Sequence, residues 1–228
     1  MDSLHLIGYS VIGGFVPALI WLAFWLTEDR CQPEPKLRLL LTFLAGMVTV
    51  AIAIPLENAA SSFTTGAPPL LIWASIEEIL KLLAAATFGL LSADFDEPID
   101  AVIYMITAAL GFAAAENILF LFGTMYQGDI LQGLILGDTR FVGATLLHSL
   151  SSATVGLFMA LAFYRSATMK KIALAAGVIL AIFLHTLFNF FILAQGGSLA
   201  VSVFLSIWAG IIVLLFLLER VKNAKDYC

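Results

Sequence analysis

The stretch PIDAVIYMITAALGFAAAENILFLFG, residues 98–123, decides the fold. It holds no Lys or Arg and only two carboxylates, Asp100 near its start and Glu116 well inside. As a helix rising about 1.5 Å per residue it would be about 39 Å long, enough to cross a hydrocarbon core of about 30 Å. A lipid-facing barrel strand would alternate polar and apolar residues over about ten positions, and this run does not. Six further runs read the same way: roughly 5–27, 37–56, 68–91, 140–164, 171–195 and 198–218. The composition agrees, with 61% of the 228 residues apolar, 12% charged and a mean hydropathy of +1.03. A globular chain has about 45–50% apolar and about 25% charged residues. The expectation is an all-α fold: a polytopic membrane helical bundle of about seven transmembrane helices, one domain over 1–228, multi-pass in the cell membrane. With a net charge of −5 and no basic patch, the partner is the lipid bilayer and not a nucleic acid. Two cysteines cannot build a disulfide framework.

Charge sets the direction. Segments 28–38, 165–171 and the tail carry Arg30, Lys36, Arg38, Arg165, Lys170, Lys171, Arg220, Lys222 and Lys225, nine of the eleven basic residues. Together with the acidic loop 92–97 these are alternate loops, so they fall on one side. The positive-inside rule makes that side cytoplasmic and places the N-terminus outside. The first span has no Lys or Arg before it and is too long for a cleavable h-region, so it reads as a retained helix. The outer segment 124–139 contains the apolar run 130–136 and reads as a short interfacial or re-entrant piece, a candidate lid. Trp21, Trp25, Trp73 and Trp208 read as lipid-facing or interfacial.

Ionisable side chains inside spans cost at least about 2.5–3.5 kcal/mol on insertion scales and are functional candidates by default. They are Glu77, Glu78, Lys81, Glu116, His148 and His185, with Asn117 and Asn189 as polar neighbours. Glu77 and Lys81 are four residues apart, as are His185 and Asn189, so each pair shares a helix face. Counted from the outer end of each span, Glu77, Glu116, His148 and His185 lie about 13, 10, 12 and 15 Å deep. Four groups from four helices thus reach one level in the outer half of the bilayer, and a shared site is the economical reading. Two imidazoles with several carboxylates are the ligand types of a divalent metal such as zinc, which in catalytic sites keeps a position open for water. A further carboxylate then serves as general base.

These residues resemble the PrsW family of intramembrane proteases, within the wider group of CAAX-prenyl-protease-like membrane proteins. Glu77-Glu78-Ile79-Leu80-Lys81 is similar to an E-E-x-x-K motif and Phe112-Ala113-Ala114-Ala115-Glu116 to F-x-x-x-E. His148 and His185-Thr186-Leu187-Phe188-Asn189 resemble the later histidine motifs, so the resemblance covers roughly 68–195. It implies peptide-bond hydrolysis in a single-span membrane protein, with an outer-side, site-1-type cut of an anti-sigma factor as the family's best-known role. It also implies Glu77 and Glu78 as the catalytic pair, with Glu77 activating water. Glutamate at 116, where the CAAX branch usually has histidine, points towards PrsW and away from prenylated substrates. The resulting assignment has Glu116, His148 and His185 as ligands of Zn2+ and Glu77 as base. Glu78 is then an orienter or alternative ligand, Lys81 a neutralising partner, Asn117 a supporting residue and Asn189 an oxyanion donor.

Two rival readings use the same residues. Buried carboxylates, a lysine and histidines also build proton or ion pathways, which would make a coupled transporter. No repeated half or paired broken helices of the inverted-repeat kind accompanies them. A non-catalytic scaffold of the same superfamily is the other alternative. Ser149, Ser151 and Ser152 do not make a serine hydrolase with His148, since adjacent helix positions do not face each other. Oligomeric state is not written in the sequence.

Overall fold

In the computed structural model, residues 3–63, 68–127, 143–194 and 200–223 are described. Most of the candidate lid at 124–139 lies outside them. Among the described residues seven α-helices follow one another: α1 Ser3–Trp25, α2 Lys36–Phe63, α3 Pro68–Ala85, α4 Pro98–Tyr126, α5 Ala144–Leu161, α6 Ala167–Ala194 and α7 Ala200–Asn223. The described residues include no strand. Helix α3 starts on Pro68 and Pro69, which suit a first turn because their missing N–H groups would be unpaired there anyway. It ends in a π-helical turn, Ala86–Leu90.

Among the described residues six helices, all but α3, are long and apolar enough to cross a membrane. The sequence leads one to expect seven. Helix α3 differs because Glu77, Glu78 and Lys81 put three charged groups into its 18 residues. It nevertheless returns the chain to the end from which α2 set out. At that end Arg38 Nε donates to Asp94 Oδ2 at 2.8 Å, and Gln32 donates to Glu97. Lys222 pairs with Glu28, and the Phe95 and Phe163 rings meet edge to face at 5.3 Å. At the other end Trp73 Nε1 on α3 donates to the Glu57 carbonyl on α2 at 3.3 Å. The basic segments 28–38 and 165–171, the acidic loop and the end of α7 therefore gather at one end of the bundle.

Helix α4 is the axis. Every residue from Ile99 to Ala114 is buried, as befits a helix that is apolar around its whole circumference. Close packing comes from small residues. A Cβ on Gly111 would lie 2.0 Å from the Phe43 carbonyl oxygen, and one on Gly46 would lie 2.1 Å from that of Ala108, so α2 and α4 touch backbone to backbone. Gly156 does the same for α5, where a Cβ would meet Val102 Cα at 2.6 Å. One tryptophan departs from expectation. Trp25 is 1% exposed and belongs to the main apolar core instead of the interface.

Candidate functional site

Four helices bring the predicted residues together, and the contacts can be built outward from Lys81. Its ammonium is fully buried and lies 2.8 Å from Glu78 Oε1, 3.3 Å from Glu77 Oε2 and 2.8 Å from His148 Nδ1. The face of Phe112 covers it at 4.6 Å. An ammonium can only donate, so His148 Nδ1 accepts and carries the lone pair. The proton of that imidazole is then on Nε2, which donates to Glu116 Oε2 at 3.0 Å.

His185 is fixed in the opposite sense. Its Nδ1 lies 2.8 Å from Glu78 Oε1, an acceptor, so Nδ1 donates and the lone pair is on Nε2. Glu78 Oε2 also accepts from Ser152 Oγ at 2.8 Å. Glu78, with no exposure, thus receives three donors and is held in place. Glu77 Oε2 lies 3.7 Å from His148 Nδ1 and 3.8 Å from His185 Nε2, which are the two nitrogens that carry lone pairs.

One candidate ligand atom each of Glu77, His148 and His185 thus lies within 4.8 Å of the others, all three residues are buried, and the His148 Nδ1 lone pair is engaged here by the Lys81 ammonium, whose place an ion would take. Tetrahedral ligands about 2.0–2.1 Å from zinc are roughly 3.3 Å apart, a little closer than the spacing here. The opposite nitrogen of each imidazole is tied to a carboxylate, Glu116 for His148 and Glu78 for His185. That is the arrangement by which metal sites orient histidine ligands and raise their basicity. The donor set, two neutral nitrogens and one carboxylate oxygen, suits zinc.

Of the remaining expected residues, Asn117 is turned aside: its Nδ2 donates to Thr145 Oγ1 at 3.1 Å and ties α4 to α5. Asn189 is half-buried one turn beyond His185 on α6. Three contributors escape a reading that looks only for ionisable groups inside the spans. Ser152 is four residues from His148 and Phe112 four from Glu116, so the helical repeat could have flagged both. Glu57, at the end of α2, is in electrostatic reach of Glu77, Glu116, Lys81 and His185, and its carbonyl meets Trp73, one turn before Glu77. It sits just past the span expected at 37–56.

The chain is similar to known proteins over most of its length. Residues 34–218 match the model of a family described as PrsW family intramembrane metalloprotease. Protease PrsW of Geobacillus kaustophilus is 26% identical over 227 residues, covering 96% of this chain and 94% of the relative. Protease PrsW of Clostridioides difficile is 28% identical over 189 residues, covering 79% and 77%. The Bacillus subtilis protein of the same name is 22% identical over 188 residues, covering 81% and 83%. No solved structure matches. The motif residues lie inside the matched range and meet in one buried cluster of a multi-pass membrane protein, and this chain belongs to the PrsW family of intramembrane proteases.

Proposed function

We propose that this chain is a metal-dependent intramembrane endopeptidase. It cuts a peptide bond of a single-span membrane protein in the outer half of the bilayer, in the manner of a site-1 cleavage of an anti-sigma factor. The observation that carries the reading is that ligand atoms of the buried Glu77, His148 and His185 lie within 4.8 Å of one another, with His148 Nδ1 3.7 Å and His185 Nε2 3.8 Å from Glu77 Oε2. In this proposal Glu77, His148 and His185 hold the metal, taken to be zinc, and Glu78 and Glu116 orient the two imidazoles. When bound, such an ion supplies a water whose pKa is brought to about 7.

The chain's own groups supply the rest. Glu116 has the most open side chain of the interacting carboxylates, 22% exposed against 8% for Glu77 and 0% for Glu78, and it takes the proton of the attacking water. Asn189 donates to the carbonyl oxygen as it gains charge. The family resemblance implies the reverse roles for Glu77 and Glu116. They are exchanged here because Glu116 faces Nε2 of His148, whereas Glu77 lies beside Nδ1 of His148 and Nε2 of His185. The outer-half location follows from the positive-inside orientation.

Metal content and cleavage measured side by side test this. Wild-type protein purified in detergent should carry about one zinc per chain, lost in folded His148→Ala, His185→Ala and Glu77→Gln. Glu116→Gln should keep the metal and lose cleavage. Metal kept in Glu77→Gln but lost in Glu116→Gln would return Glu77 to the role of base. A metal-free wild type that still cleaves would end the metalloprotease reading.

A further inference from the structure

A second set of carboxylates lies far from the first. Where the α1–α2 and α3–α4 connections meet the start of α4 stand Asp29, Glu34, Glu97 and Asp100. Asp29 and Asp100 are each 1% exposed and Glu34 is 6% exposed. One oxygen from each of Asp29, Glu97 and Asp100 lies within 4.8 Å of the others, and the Glu34 and Asp100 carboxyls are within hydrogen-bonding reach. Asp100 and Glu116 are on the same helix but about 24 Å apart along its axis, so this cluster is separate from the proposed catalytic one.

A helix cap explains part of it. Asp100 Oδ2 accepts the N–H groups of Asp96 at 3.0 Å and Glu97 at 2.7 Å. It leaves two atoms unexplained. Asp100 Oδ1 and Glu97 Oε2 are fully buried with no hydrogen-bond partner among the described residues. Three further oxygens receive donors: Glu34 N–H to Asp29 Oδ2 at 3.2 Å, the Tyr104 hydroxyl to Glu34 Oε2, and Gln32 to Glu97 Oε1. Burial raises the Glu34 carboxyl above its usual range, and a cation held among these side chains would offset the cost of keeping them charged. Arg38, at the same end, is engaged by Asp94.

We propose that Asp29, Glu34, Glu97 and Asp100 form a binding site for a hard divalent cation, of the calcium or magnesium class. An all-oxygen donor set selects such ions over zinc. Calcium ligands at 2.3–2.6 Å stand at most about 5 Å apart across the ion, which accommodates the observed separations. The ion bridges the α1–α2 connection to the first turn of α4 and clamps two connections at one end of the bundle.

Terbium, a luminescent substitute for calcium, tests the site on the full chain in detergent, with excitation through the aromatic residues. Saturable luminescence that calcium displaces is expected. Asp100→Asn keeps an acceptor for the helix cap but should weaken terbium binding about tenfold or more, because affinity follows ligand charge. His148→Ala and Glu77→Gln should retain the signal. The wild-type unfolding midpoint should also be higher in calcium or magnesium than in chelator, a readout that needs no variant. A signal unchanged in Asp100→Asn would show adventitious ions only. A midpoint insensitive to either cation but shifting with pH would show that the carboxyls share protons, and either result overturns the proposal.

Discussion

Lys81 uses all three of its ammonium hydrogens, on Glu77, Glu78 and His148. It lies 2.8 Å from a nitrogen that the proposed metal would take, so it acts as a resident cation for a cluster that would otherwise be strongly negative. Removing one partner of a buried ion pair costs about 3–5 kcal/mol, because the other charge is left uncompensated. Lys81→Met should therefore lower the unfolding midpoint in detergent sharply. The double variant Lys81→Met, Glu78→Gln should recover part of that loss, and a double-mutant cycle reads the coupling directly. If the single variant is as stable as wild type, the ammonium is not what holds Glu78. At this scale the spacing of Glu77 and Lys81 on one face was legible in the sequence. The tautomers of His148 and His185 were not, because each is set by a partner on another helix.

Helix α4 can be buried on all sides because small residues let α2 and α5 approach its backbone. Alanine at Gly111 would bring a methyl carbon to 2.0 Å from the Phe43 carbonyl oxygen, an obstacle in backbone that no rotamer can relieve. Overpacking costs typically about 1–3 kcal/mol, and a backbone clash belongs at or beyond the upper end. Gly111→Ala should thus reduce the yield of monodisperse protein in size-exclusion chromatography. Gly8→Ala makes the matching control: nothing lies within 4 Å of the added carbon, and helix propensity improves by about 0.8–1.0 kcal/mol. Equal behaviour of the two variants would contradict the packing argument. The sequence announced α4 as a span through its length and apolar content. Its central place was less legible, since a helix apolar all round can face lipid or protein equally well, and only its neighbours distinguish the two.

Across the whole molecule, the connections between helices sort by charge. The segments that hold most of the Lys and Arg meet at one end with the acidic loop, joined by Arg38–Asp94 and Lys222–Glu28. Arg38 and Asp94 are 39% and 37% exposed, so their pair is worth at most about 1 kcal/mol and marks proximity more than stability. The positive-inside rule predicts this end in the cytoplasm. Reporter fusions or thiol labelling should therefore find residues 92–97 and the C-terminus inside and the N-terminus outside. Labelling of the C-terminus from outside would invert the orientation and move the proposed cut to the inner half of the bilayer.

By itself the sequence determined that the chain is helical and lies in a membrane, because length and hydropathy act locally and leave few alternatives in lipid. It also singled out Glu77, Glu78, Lys81, Glu116, His148 and His185, since each is costly in a span whatever surrounds it. Tertiary structure decided which atoms face one another. That Glu116 meets Nε2 of His148 while Glu77 lies beside Nδ1 of His148 and Nε2 of His185 depends on the rotation of four helices about their axes. Ser152 on Glu78 and the burial of Trp25 are likewise consequences of packing. The carboxylates around the start of α4 belong here too: in sequence they look like a polar loop, and only the approach of two connections to that helix buries them together.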